Sequence, residues 1–413
     1  MQSGYVVAVL CSGLLIAAAP AVNDSSQWRG PRRDGVVDAR EVPRAWPVEL
    51  TRGWSVEVGE GHATPVISGE TVFVHTREGE EEVVRALRLR DGRELWKQSA
   101  PVPYKVNSAA TSHGKGPKST PVVADGRLFT LGISGILSCL DAGKGTLIWR
   151  KEFGDEFRDT SPLYGTALSP LVTDDLCIIH AGGHDAGALL ALNVKSGTEV
   201  WRLKETGPAY TSPIVVEIDG VRQVVTQTQS ACIGVDLQSG ERLWSHPYRT
   251  DYDQNSVTPV VAGDLILFGG YAQPTIALRP RRQEGRWTTE IVWSNAEIPM
   301  YMSSPVVVGD VFYGMTQRRR GALFCADTRS GEVRWTGEGR LGDNAALLVA
   351  GDKLLVLTTE AKLLVLKQNR ERPDIVAEYE VAESPTWAHP VPAHGKLLIK
   401  DRTRLTAWSD LAR

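Results

Sequence analysis

Cysteine is scarce in this chain, with five among 413 residues. Cys11 falls in an apolar N-terminal stretch; Cys139, Cys177, Cys232 and Cys325 are scattered, and no two are adjacent. This spacing excludes a disulfide-dense scaffold, although an even number beyond the leader permits disulfides in an exported protein. Past the first 21 residues no apolar run reaches the ~20 residues of a membrane-spanning helix. A concentrated basic stripe is also missing. Lys and Arg total 46 against 49 Asp and Glu, for a net charge of −3, and Arg318-Arg319-Arg320 reads as a solvated turn. That balance argues against a nucleic-acid binder. There is no Gly-x-Ser-x-Gly nucleophile elbow, and Gly114 to Ser119 lacks the spacing and the following helix of a phosphate loop.

What is present begins with a leader. Tyr5 to Ala19 is almost wholly apolar, and Ala19-Pro20-Ala21 offers a signal-peptidase pattern, although Met1 to Gly4 carries no basic residue. Residues 1–21 are read as a signal peptide, 22–45 as an N-terminal extension and 46–413 as one repeat domain. The expected location is periplasmic or secreted, without a lipid anchor because Leu10 precedes Cys11, and without a membrane span in the mature chain.

Self-similarity is the strongest signal. Leu137 to Trp149 recurs as Leu189 to Trp201, Cys232 to Trp244, Leu323 to Trp335 and, more loosely, Val84 to Trp96. Each is an alternating strand, an Asp/Asn-x-x-x-Gly turn, and a short strand ending in Trp. The acidic or amide side chain accepts backbone amides just beyond it, and Gly takes the positive φ of the bend. Cys139 and Cys325 occupy one repeat position, shared with Ala86 and Ala191, which marks them as small buried side chains in different units, unpaired. Before each hairpin lies a hydroxyl residue, Pro, an apolar run and a Gly/Asp turn, beginning at Thr64, Thr120, Ser169, Ser212, Thr258 and Ser304. Pro suits the first residue of a strand.

Four strands per unit emerge, with a Trp-to-Trp period of about 42 to 53 residues. Six units are clear, a seventh runs from Ala345 to Tyr379, and an eighth from His389 to Trp408 lacks its last strand. The orphan segment Gly53 to Val58 supplies it. The expected fold is all-β: an eight-bladed β-propeller with four-stranded antiparallel blades, closed by the N-terminal strand completing the C-terminal blade.

These repeats resemble the tryptophan-docking motif of the pyrroloquinoline-quinone (PQQ) type propellers, in the quinoprotein alcohol dehydrogenase-like superfamily. The resemblance implies that the Trp of one blade packs on its neighbour, here at Trp54, Trp96, Trp149, Trp201, Trp244, Trp293 and Trp335. Gln27 to Gly35 is similar to the Trp-Arg-Gly-Pro opening of secreted PQQ-like repeat proteins, with Trp28 expected to pin the segment onto the propeller body. The superfamily holds quinone-dependent dehydrogenases and also non-catalytic members, including the propeller subunit of the outer-membrane assembly machinery. The dehydrogenases generally use Ca²⁺ held by Glu, Asn and Asp, a stacking Trp and often adjacent cysteines. No such set can be placed here.

Segments just before the innermost strands gather around an axial funnel. They carry His62, His113, Lys118, Tyr164, Tyr210, Tyr252, Asn255, Tyr301, Trp387 and His389, with Lys115 and Asp253, near a ring of the Thr64, Thr120, Ser169, Ser212, Thr258 and Ser304 hydroxyls. Convergent polar and aromatic groups in a concave mouth make this the candidate ligand or partner site; the alternative is that they satisfy backbone groups and water. His180 to Asp185 is read as a hairpin tip rather than a metal site. No catalytic residue and no metal ligand is assigned. The expectation is a monomeric, non-enzymatic scaffold for an envelope or secreted protein or peptide partner, with no cofactor. A PQQ-dependent oxidoreductase using PQQ and Ca²⁺ in the funnel, and a carbohydrate-binding accessory module, are the alternatives.

Overall fold

The computed structural model describes residues 25–184 and 186–409. The leader, with Cys11, and Asp185 lie outside the described residues. The repeated turns form by local chemistry. Asp141 Oδ1 accepts the Lys144 N–H at 2.8 Å, Asn193 Oδ1 accepts Lys195 and Ser196 N–H, and Asp236 and Asp327 do the same for the residues two and three ahead. Gly145, Gly197, Gly240 and Gly331 follow at φ between +66° and +73°, where a Cβ would strain the backbone.

Each turn joins the third and fourth strands of a four-stranded antiparallel sheet, and there are eight such sheets. Blades 1 to 7 span 66–101, 122–151, 171–205, 214–247, 260–295, 306–336 and 345–380. Blade 8 combines Val391–Ala393, Lys396–Lys400 and Arg404–Ser409 with Thr51–Glu57. That last strand pairs antiparallel from Thr51 opposite Ser409 to Glu57 opposite Arg404. The two ends of the chain therefore share one sheet, which completes blade 8 and closes the ring.

Apolar side chains from neighbouring blades merge into shared clusters. Phe129 and Cys139 of blade 2 pack with Cys177, Ile179 and Leu190 of blade 3, all fully buried. The four described cysteines are free and buried, and burial pushes the Cys139 and Cys325 thiols up to about 12 and about 11.

The indoles bridge blades in a regular way. Trp54, Trp96, Trp149, Trp201 and Trp293 donate N–H to Leu89, Ala142, Val194, Leu237 and Thr328 O of the next blade at 2.9–3.1 Å. Each lies under that blade's turn glycine, so closely that a Cβ at Gly92, Gly145, Gly197, Gly240 or Gly331 would fall within 2.7 Å of a ring carbon. Trp335 reaches Asn369 O. Trp244 departs from the expected pattern. Its N–H meets Gln223 Oε1 of its own blade at 2.7 Å, and its ring lies over Gly234 of its own third strand. The reason is that blade 5 ends in the long hairpin Thr275–Gln283 and Arg286–Asn295, whose Gly285 has nothing near it, so no turn glycine awaits the ring. Trp244 still packs with Ile266, Phe268 and Leu278 of blade 5.

The closure carries a second fastening. Lys400, buried in blade 8, donates its ammonium to Gly59, Gly61, Asp401 and Arg402 carbonyls at 2.7–3.3 Å. It thereby ties the chain leaving the closing strand to the last hairpin.

The N-terminal extension is not a surface appendage. Val36–Val37 adds a parallel strand to the inner edge of blade 7, inside the ring. Upstream, Ser25 and Ser26 carbonyls accept the Ile67 and Val123 amides of blades 1 and 2, and Gly35 O accepts Val349 N–H of blade 7. Arg33 donates to Ser169 and Pro170 O of blade 3, Arg29 to Pro305 O of blade 6 at 2.5 Å, and the Trp28 indole to Thr258 Oγ1 of blade 5 at 3.0 Å. Trp28 also meets His389 of blade 8 edge-on at 4.4 Å. Residues 25–37 thus fill the axis as a plug. Arg29 and Arg33 are buried without a carboxylate hydrogen bond, and burial lowers them to about 10 and about 9. Gly35 is required where it stands: at φ +79°, a Cβ would fall 2.7 Å from the Arg29 guanidinium.

Candidate functional site

The hydroxyl ring is an inter-blade belt. Each member accepts a backbone N–H from the blade before it: His389 to Thr64, Thr64 to Thr120, Thr120 to Ser169, Ser169 to Ser212 and Thr258 to Ser304, at 2.9–3.2 Å. The exception is Thr258, whose oxygen takes the Trp28 indole instead. The belt is therefore largely occupied by the fold, and the plug enters at its one free acceptor.

Above the belt lies a cavity of about 280 Å³ floored by Trp28. Of the ten residues expected at the funnel, His62, His113, Lys118, Tyr164, Tyr210, Tyr301 and Trp387 line it, joined by Gln254, Ser256 and Met302. Three do not. Tyr252, at φ +60° in a short 3-10 turn, is 67% exposed outside the cavity. Asn255 is buried in the fold, donating to Thr228 and Tyr248 O. His389 lies beneath, against Trp28. Lys115 turns outward to Glu80, and Asp253 pairs with His184 at 3.3 Å.

The wall is aromatic with few charges. Trp387 meets His113 at 4.8 Å and His62 at 5.9 Å, while Tyr164 meets Tyr210 at 5.9 Å, all at tilts of 56–70°. Burial, reinforced by the Lys118 and Lys400 charges, holds His62 down to about 3. The neutral ring's Nε2 donates to His113 O at 3.0 Å, leaving Nδ1 as an acceptor. Burial likewise pushes Tyr210 far above the usual phenol range, and its oxygen accepts the Tyr164 N–H. Lys118 is the one cation in the wall. Its ammonium donates to Tyr164 O at 2.5 Å, and burial lowers it to about 8. Among the described residues no Asp or Glu lines the cavity.

Elsewhere, His180 sits inside the strand Leu176–Gly182, bonded to Thr206 O and lowered to about 4 by burial. Among the described residues no group of three His, Cys, Asp or Glu could hold a metal ion, and no helix is long and apolar enough to cross a membrane.

The family model described as "Outer membrane protein assembly factor BamB" matches residues 80–337, more than half of the chain. The chain belongs to this family. The BamB protein of Salmonella typhimurium is 26% identical over 322 residues, covering 73% of this chain and 75% of that one. The Shewanella oneidensis BamB is 26% identical over 247 residues, an alignment spanning 55% of this chain and 60% of that protein's length. Solved structures agree on the fold: BamB from Moraxella catarrhalis superposes with TM-score 0.64 at 14% identity over 88% of this chain and 99% of that one. Quinohemoprotein alcohol dehydrogenase from Comamonas testosteroni does so with TM-score 0.67 at 12% identity, over 94% and 80%.

The dehydrogenase likeness raises the question of a quinone with Ca²⁺. Calcium takes six to eight oxygen ligands, carboxylates foremost. The described lining of the cavity offers rings, hydroxyls, an amide and an amine but no carboxylate, a donor set that does not fit that pair. The floor and part of the wall (Trp28, His62 and Trp387) also lie outside the segment that matches the BamB family.

Proposed function

We propose that this protein is an exported, non-enzymatic propeller that serves as a protein-interaction scaffold in the cell envelope. The observation carrying this reading is the family match over 80–337, whose relatives are named as outer-membrane assembly factors. The chain gives the reading a rigid platform, since ring closure, inter-blade indoles and axial plug all restrain the blades against one another. Export rests on the apolar leader, and the absence of a cofactor on the donor set of the funnel. The chain works as a monomer that presents a propeller face to an envelope protein or peptide.

The test is a chromosomally tagged protein in its own host, fractionated and cross-linked in intact cells. The tagged chain is expected in the envelope fraction, recovered reproducibly with the same protein partner at near-equal amounts. A chain retained in the cytoplasm, or purified protein that reduces a dye only when given PQQ and Ca²⁺, would overturn the proposal.

A further inference from the structure

We propose that the funnel is a binding site for an acidic sugar, a single pyranose ring carrying a carboxylate, of the uronic acid class. The site is separate from the scaffold reading and does not depend on it.

Size comes first. At about 280 Å³ the cavity lies just below the ~300–1,000 Å³ of typical ligand pockets, which suits one ring rather than an extended chain. Trp28 of the plug is part of its lining.

Charge comes next. Among the described residues Lys118 is the only cation in the wall and no carboxylate of the lining opposes it. An ammonium has three N–H donors; one is given to Tyr164 O, and two remain for an anion. In a half-dry, aromatic pocket that pairing is stronger than it would be in water. Asp253 and Asp343 act on Tyr210, His113 and Tyr301 from outside the lining.

Shape and hydrogen bonding select a sugar over a flat aromatic acid. The ring pairs of the wall are tilted by 56–88°, so none offers the parallel slot that a planar quinone needs. Tilted ring faces can instead meet the C–H faces of a puckered pyranose, whose positive edges match the negative face of the indole. The wall also has acceptors waiting for hydroxyl donors. Gln254 is 8% exposed, its Oε1 is buried without a hydrogen-bond partner, and it lines the cavity. A buried acceptor left unpaired is costly, and a turn of the Gln254 amide toward the cavity it lines would bring it to a sugar hydroxyl. His62 Nδ1 and the Tyr210 hydroxyl add an acceptor and a donor.

The experiment titrates the purified full chain with methyl glucuronide and methyl galacturonide, each beside its neutral methyl glucoside or galactoside. Binding is read by saturation-transfer NMR and intrinsic Trp fluorescence. At least one uronide should saturate, at least tenfold tighter than its neutral counterpart. Lys118→Gln, which removes the charge but keeps an N–H donor, should weaken uronide binding tenfold or more with the far-UV spectrum retained, and Trp387→Leu should reduce the fluorescence response to what Trp28 supplies. Several results would overturn the proposal: no saturation by any uronide at millimolar concentration, equal binding of the neutral glycosides, full affinity in Lys118→Gln, or micromolar binding of PQQ with Ca²⁺ that displaces the sugar. Failure of the uronides alone leaves recruitment of an envelope protein untouched, so the two readings fail separately; only PQQ with Ca²⁺ in the funnel would count against both.

Discussion

Gly92 and Gly126 share one backbone angle, φ +71°, and differ in what lies beneath them. A Cβ at Gly126 would meet nothing within 4 Å, whereas at Gly92 it would meet Trp54 Cε3 at 2.7 Å and Cδ2 at 2.9 Å. Alanine at either site incurs the left-handed backbone strain of roughly 1–2 kcal/mol. At Gly92 it must also displace the indole, an overpacking cost of about 1–3 kcal/mol, and loosen the N–H bond to Leu89 O, worth about 1 kcal/mol. Gly126→Ala should therefore cost about 1–2 kcal/mol and Gly92→Ala about 3–6 kcal/mol. Thermal melts and urea titrations of both variants, followed by far-UV circular dichroism, read the difference directly. Gly145→Ala, Gly197→Ala, Gly240→Ala and Gly331→Ala should group with Gly92→Ala, because each places its Cβ within 2.7 Å of an indole. Equal losses at Gly92 and Gly126 would refute the claim that the turn glycine seats the tryptophan of the preceding blade.

Trp28→Ala removes the floor of the funnel and the indole bond to Thr258 Oγ1. It should lower stability by about 2–3 kcal/mol while leaving the far-UV spectrum of the ring intact, and loss of the β signature would contradict the plug's subordinate role. Lys400→Met takes the ammonium from four carbonyls at the closure, of which Arg402 O keeps the Gly61 N–H, and should cost about 3 kcal/mol, with limited proteolysis then cutting first near residues 57–62. Acid should destabilise the fold through its buried neutral imidazoles. His62, His180 and His389 are held down to about 3, 4 and 3, foremost by burial. Between pH 4 and 6.5 the unfolded chain takes up protons that the folded state refuses, so stability rises with pH across that window. The slope is up to about 1.4 kcal/mol per pH unit for each histidine. His180→Gln and His389→Gln should each flatten the fall in melting temperature from pH 6.5 to 4; an unchanged slope would show that these groups do not govern it.

The ring was legible because its determinants are local and repeated. An Asp or Asn capping its own turn, a Gly at positive φ and a Pro opening a strand all act within about a dozen residues. Their recurrence marks six units, two weaker ones complete the count of eight, and the surplus strand around Trp54 falls to the blade that lacks one. Seven of ten funnel residues were legible for the same reason, since each lies just before an inner strand. Asn255 and His389 share that placement, but their side chains turn into the fold, and sequence position does not fix a side chain's direction. Trp244 could not be read from its own repeat, because its partner turn is missing from the next one. Trp28 was visible as an anchor, but its place in the axis was not. It meets Thr258, 230 positions away, and only the central space left by eight blades determines where such a segment goes. Gly30 and Gly35, with Arg29 and Arg33 also at positive φ, were the signal that Gln27 to Gly35 follows a tightly folded path.

Hydrogen exchange across residues 25–37 in the intact protein, followed by mass spectrometry, addresses most directly whether the chain's own N-terminal segment stoppers the propeller axis. Peptides covering Arg29 to Val37 should remain protected for as long as the inner strand Ala345–Ala350 on which Val36 and Val37 lie. Complete exchange within seconds, as in a free tail, would mean that the axis is open and that the funnel has no floor.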